Sequence, residues 1–131
     1  MGIPLIFLDV DGVICCNMVG ALEETKLAQL QRICQQTQAK VVLSTDWRRQ
    51  PALKKQLKDV LSSLSIDVVG ATPCRAMFQP IRPQEITAWL KMTSYDVGAW
   101  CAIDDRDLVN EIGGHLLQGH FIKTNPASGL T

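Results

Sequence analysis

Six residues carry the chemistry legible in this chain: Asp9 and Asp11 in an Asp-x-Asp-Gly string, the hydroxyl pair Ser44-Thr45, and the acidic pair Asp104-Asp105. Each set directly follows an apolar run. An isolated Asp-x-Asp-Gly is an ordinary turn, and an isolated Asp-Asp is an ordinary helix cap. All three sets at the ends of three buried strands mean something else. Parallel strands would gather them at one sheet edge, where four carboxylates repel one another in a low dielectric. Such a cluster calls for a cation, and its all-oxygen donor set favours Mg²⁺ over zinc.

The elements that would position these residues follow from periodicity. Ile3 to Leu8 is an unbroken apolar run, as expected of a strand covered on both faces. Leu22 to Gln38 reads as a helix, with Leu27, Leu30, Ile33 and Cys34 on one face. Lys40 to Leu43 is a second strand. A helix from about Pro51 to Leu64 carries the stripe Leu53, Leu57, Val60, Leu61 and Leu64, and Pro51 suits its first turn. Ile66 to Val69 reads as a third strand closed by Gly70. Pro83 opens a helix with Ile86, Trp89 and Leu90. Trp100 to Ile103 is a fourth strand, Leu108 to Ile112 a short helix, and His120 to Lys123 a last strand. Strands alternating with helices predict a three-layer α/β/α Rossmann-like domain with a mostly parallel sheet. Such sheets bind ligands beyond the carboxyl ends of their strands.

Composition narrows the function classes. The chain has 131 residues, the size of one domain spanning 1–131. Thirteen basic residues balance thirteen acidic ones, which argues against a generic nucleic-acid-coating domain. No apolar run approaches ~18 residues, so no membrane association is expected. The N-terminus lacks the pattern of a signal peptide. Five cysteines without metal-type spacing fit reduced thiols in a cytoplasmic setting. His115 and His120 have no companions that would make a zinc site.

The string LIFLDVDGVI resembles motif I of the haloacid dehalogenase-like (HAD) superfamily, VVLST its motif II and WCAIDD its motif IV. Motif III is normally a Lys upstream of motif IV. Here Arg82-Pro83 stands in that place. The strings LSTDWR, RPQEITAWL, AIDDRDL and FIKTNPASGLT are similar to the small HAD-like domains of bacterial "Swiss army knife" RNA-repair proteins and their stand-alone relatives.

The resemblance implies a Mg²⁺-dependent phosphohydrolase. Asp9 would be the nucleophile that forms an aspartyl-phosphate, and Asp11 the general acid and later the base. Gly12 permits the turn that lets both face one pocket. The Asp9 carboxylate, the Asp11 carbonyl and Asp105 would hold the metal, with Asp104 as alternative or support. Ser44 would donate to a phosphoryl oxygen, with Thr45 as the alternative. Arg82 would supply the charge of the usual Lys, with Lys91 as a rival. Neither interval that carries a cap in this superfamily has room for one. The open site that results suits a large phosphorylated substrate, with nucleic-acid or nucleotide ends preferred over phosphoproteins and small metabolites. The competing reading is a catalytically weak phosphate-binding module acting with a partner.

Other residues are expected nearby. Arg48 and Arg49, with Lys54, Lys55 and Lys58, would form a basic lip or a solvated helix face. Trp47 would pack over the mouth of the sheet or contact a nucleobase, while Trp89 and Trp100 belong to the core. Cys15 and Cys16, just after motif I, would make the site sensitive to thiol modification.

Overall fold

The structure, a computed structural model, describes residues 2–73 and 82–131. Five strands form one parallel sheet in the order β3-β2-β1-β4-β5. They are β1 (Ile3–Leu8), β2 (Lys40–Leu43), β3 (Val68–Ala71), β4 (Val97–Asp104) and β5 (Phe121–Lys123). Helices α1 (Glu24–Thr37), α2 (Pro51–Ser63) and α3 (Arg82–Met92) connect them, with 3₁₀ turns at Asp46–Arg49, Leu108–Asn110 and Gly114–Leu117. Among the described residues there is no cap, and no helix is long and apolar enough to cross a membrane.

The core lies on both faces of the sheet, which explains the unbroken apolar run of β1. Successive side chains point to opposite faces. Ile6 and Leu8 join the cluster formed with Leu27, Leu30, Leu57 and Leu61 of α1 and α2. Leu5 and Phe7 join the cluster formed with Ile86 of α3 and with Leu108 and Leu117. Trp89 and Trp100 each meet Phe7 edge-on with ring centroids 5.6 Å apart, so both pack against the core as expected.

Several bounds differ from the expectation, each for a local reason. Helix α1 starts at Glu24 because Glu23 is still extended and its carboxylate accepts from the Cys16 N–H. It ends at Thr37 because Gln38 adopts a left-handed conformation. Strand β3 begins two residues late, and Gly70 lies inside it. Ile66 is instead a buried core residue, entered from Ser65 at φ 58°. A β-carbon at Gly70 would lie 2.9 Å from the Trp89 indole nitrogen, so this glycine serves packing rather than termination. The short helix expected after β4 is a pair of 3₁₀ turns broken by Gly113 at φ 81°.

The register decides what meets at the sheet edge. Leu8 of β1 pairs with Leu43 of β2 and with Ile103 of β4. One step further places Asp9, Ser44 and Asp104 side by side. The Ser44 N–H donates to Leu8 O at 2.8 Å, and the Asp9 N–H donates to Ile103 O at 3.0 Å.

Candidate active site

Asp9 and Asp104 are buried at this edge, and Asp105 is half-buried beside them. Each offers a carboxylate oxygen, and the three oxygens lie within 4.8 Å of one another. Arg82, the first residue of α3, is buried against them. Its Nη1 donates to Asp104 Oδ2 at 2.7 Å and lies 3.4 Å from Asp9 Oδ2. Its Nη2 lies 3.7 Å from Asp46 Oδ1. The rival Lys91 is exposed in the last turn of α3, about 13 Å further along at 1.5 Å per residue.

Burial, and next the Asp104 charge, hold the Asp9 carboxyl well above the usual carboxylate range, against the pull of Arg82. Burial raises Asp104 as well, again opposed by Arg82. The guanidinium stays charged: burial works against its proton, but Asp9 and Asp104 outweigh that cost.

Asp11 does not join the carboxylate cluster. It is exposed, on the loop beyond β1, and its Oδ1 accepts from the Trp47 indole N–H at 3.4 Å. That loop is tightly wound. Val10 O accepts from the N–H groups of Val13, Ile14 and Cys15, and Gly12 sits at φ 80°. A β-carbon at Gly12 would collide with the Asp105 carboxylate, so the glycine is required twice, for its conformation and for this close approach.

The two hydroxyls separate clearly. Thr45 Oγ1 accepts from the Trp47 N–H at 3.2 Å and caps the 3₁₀ turn. Ser44 Oγ is buried and has no hydrogen-bond partner among the described residues. A buried hydroxyl without a partner costs about 1–3 kcal/mol, so this atom has a vacancy suited to an arriving oxygen. Ser44→Ala is therefore expected to leave the melting temperature unchanged or higher. If the hydroxyl serves a substrate phosphoryl group, turnover should fall about tenfold or more. Thermal melts beside phosphate-release rates check the pair; a clear loss of stability would mean that Ser44 has a structural partner.

Arg48 is a correction to the expected basic lip. Its guanidinium turns inward and donates to Thr72 O at 2.9 Å, Thr45 O at 2.6 Å and Glu85 Oε1 at 2.9 Å. Three buried acceptors hold the cation more firmly than solvent would, and they tie the 3₁₀ turn to α3. Trp47 is likewise only 7% exposed, with its ring in the core among residues such as Leu8 and Ile14. It offers a nucleobase no open face. The thiols of Cys15 and Cys16 are pushed up by burial, which disfavours the reactive thiolate. Cys15, Cys16, Cys34 and Cys101 are free, and Cys74 lies outside the described residues.

Two contributors escaped sequence reasoning. Asp46 is exposed yet lies within ion-pair reach of Arg82 and Arg49. Its only signal was its place between Ser44-Thr45 and Trp47. Thr124, just past β5, donates from Oγ1 to Gly12 O at 2.7 Å and from its N–H to Asp104 O at 2.9 Å. One buried threonine thus joins the loop after β1 to the end of β4. Its signal was a polar residue at the carboxyl end of another strand.

The family model for the HAD domain in Swiss Army Knife RNA repair proteins matches residues 5–131. The chain belongs to this family. No curated protein matches it. In this HAD domain the acidic cluster fits the Mg²⁺ that the family implies. Its donors are all oxygens, and their mutual repulsion is only partly offset by Arg82.

Proposed function

We propose that this HAD domain is a Mg²⁺-dependent phosphohydrolase that works through an aspartyl-phosphate on Asp9. The observation that carries the reading is the alignment at one sheet edge of Asp9, the three-carboxylate cluster and a Ser44 Oγ with no partner among the described residues. Asp9 attacks phosphorus, and the bond to the leaving-group oxygen breaks as Asp11 gives that oxygen a proton. Water then attacks phosphorus and gives up a proton to the Asp11 carboxylate, the bond from phosphorus to Asp9 breaks, and phosphate leaves. Ser44 Oγ donates to a phosphoryl oxygen throughout. Arg82 holds Oδ2 of Asp9 and so orients the other oxygen for attack.

Asp9, Asp105 and the Asp11 carbonyl would hold the metal, whose chemistry is to screen the attacking carboxylate from the phosphate charge. Asp104 supports them, because its two oxygens already accept from Arg82 and from the Arg106 N–H.

The substrate we propose is a nucleic-acid or nucleotide phosphate end, in keeping with the RNA-repair context of the family. The capless edge leaves room for a large substrate. A cleft of about 160 Å³ is lined by Lys54 and Lys58 of α2 and by Val68 to Ala71 of β3. These lysines retain the basic character that Arg48 does not lend. The alternative of a weak phosphate-binding module draws on one observation, the clasp of Arg82 on the proposed nucleophile.

Phosphate release from p-nitrophenyl phosphate, nucleotides, and 5′- and 3′-phosphorylated oligonucleotides tests this, with Mg²⁺ or with EDTA. Release that needs Mg²⁺ and favours oligonucleotide ends supports the reading. Binding of phosphorylated ends without turnover would support the module instead.

The metal also predicts a pH effect. The raised carboxyls of Asp9 and Asp104 mean that the folded, metal-free chain keeps protons that the unfolded chain releases. That stability is complete below the unfolded value near ~3.9 and is lost as pH rises through the raised values. Without metal, the melting temperature should fall as pH rises past the ordinary carboxylate range, and Mg²⁺ should raise it more at about pH 8 than at about pH 5. Equal Mg²⁺ shifts at both pH values would contradict the assignment.

A further inference from the structure

We propose that Trp47 is a positioning residue for Asp11, and that its indole N–H decides which oxygen of Asp11 faces the leaving group. This deepens the phosphohydrolase reading and rests on it. Among the described residues, the indole is the only side chain that donates to the Asp11 carboxylate. Asp11 itself is exposed, on a loop, and its side chain would otherwise rotate freely in solvent.

Trp47 is fixed from several sides. Its ring is buried in the core below the site. Its N–H is held by Thr45 Oγ1, and its carbonyl accepts from the Gln50 N–H at 3.2 Å. Arg48, the next residue, anchors the same turn to Glu85 of α3. A buried donor therefore meets an exposed acceptor. The donor takes Oδ1, which leaves Oδ2 to carry the proton toward the leaving group.

The turn that follows Ser44 brings Asp46 to Arg82 and Trp47 to Asp11. The tryptophan after Ser44-Thr45 thus acts from beneath the pocket, through a neighbour, rather than by contact with a base.

Leaving-group dependence separates this role from simple packing. p-Nitrophenolate departs without needing a proton, whereas phenolate from phenyl phosphate leaves far more readily when protonated. Trp47→Phe keeps an aromatic ring and removes the N–H. It should lower kcat/KM, which reports formation of the aspartyl-phosphate, about tenfold on phenyl phosphate and less than about threefold on p-nitrophenyl phosphate, the same selectivity as Asp11→Asn in milder form. Should Trp47→Phe fold poorly, β-(3-benzothienyl)alanine at position 47 preserves the ring shape without the donor. An independent readout is the Trp47 indole N–H resonance in ¹⁵N-labelled protein at fixed pH, which should shift in Asp11→Asn.

Equal losses of kcat/KM on both substrates, or an indole resonance indifferent to Asp11→Asn, would overturn the positioning role and leave the phosphohydrolase reading standing. Absence of Mg²⁺-dependent release from either substrate by the wild-type protein would remove both.

Discussion

Asp9→Asn should reduce phosphate release by at least ~10³-fold on every substrate, with Mg²⁺ present, because the amide cannot attack phosphorus. The same substitution should not harm the fold. Asp9 is buried beside Asp104 and Asp105, and burial and Asp104 both disfavour its charge. A neutral isostere removes that repulsion at the cost of weakening the 3.4 Å approach to Arg82. The melting temperature without metal should therefore be equal or higher, and the shift produced by Mg²⁺ should shrink. Phosphate-release assays beside thermal melts check all three. Activity retained in a folded Asp9→Asn protein would end the nucleophile assignment.

Arg82→Leu should be the most damaging substitution of the fold among the site residues. The guanidinium compensates Asp104 at 2.7 Å and approaches Asp9, both buried. Removing one partner of a buried pair costs about 3–5 kcal/mol. For a domain of this size that corresponds to a fall of roughly 10–20 °C in melting temperature. Phosphate turnover should drop by about 10²-fold or more where the protein still folds.

Arg82→Lys is the informative companion. Lysine restores the residue type usual in motif III, but its single ammonium cannot span Asp9, Asp104 and Asp46 as the planar fork does. It should recover most of the stability and bring turnover within about tenfold of wild type. A Lys variant as defective as Leu would show that the geometry of the fork, rather than its charge, is what the site requires. Lys91→Ala should leave both quantities unchanged, since Lys91 sits at the far end of α3.

Much of the candidate site was legible because strand ends announce themselves. An apolar run covered on both faces must stop where the sheet edge meets water, and the residue types at that stop stand out. Asp9, Ser44 and Asp104 were found that way, and the register brings them together. Thr45 and Ser44 were not separable by type. Their difference is that one hydroxyl caps a 3₁₀ turn and the other has no partner among the described residues. Arg48 misled because a run of cations after a loop reads as surface. Nothing local reveals that Thr72 and Glu85 wait for it, 24 and 37 positions away.

Sequence alone determined the alternation of strands and helices, the three polar strand ends, the oxygen-only donor set and the resemblance to the HAD superfamily. These depend on periodicity and residue chemistry, which are local. Only the tertiary structure decided that Arg82 clasps Asp9 and Asp104, that Trp47 lies under Asp11, and that Thr124 ties Gly12 to the end of β4. Those contacts join positions as far apart as 112 residues. They follow from the order of the strands in the sheet, which sets which ends become neighbours, and no periodicity along the chain encodes that order.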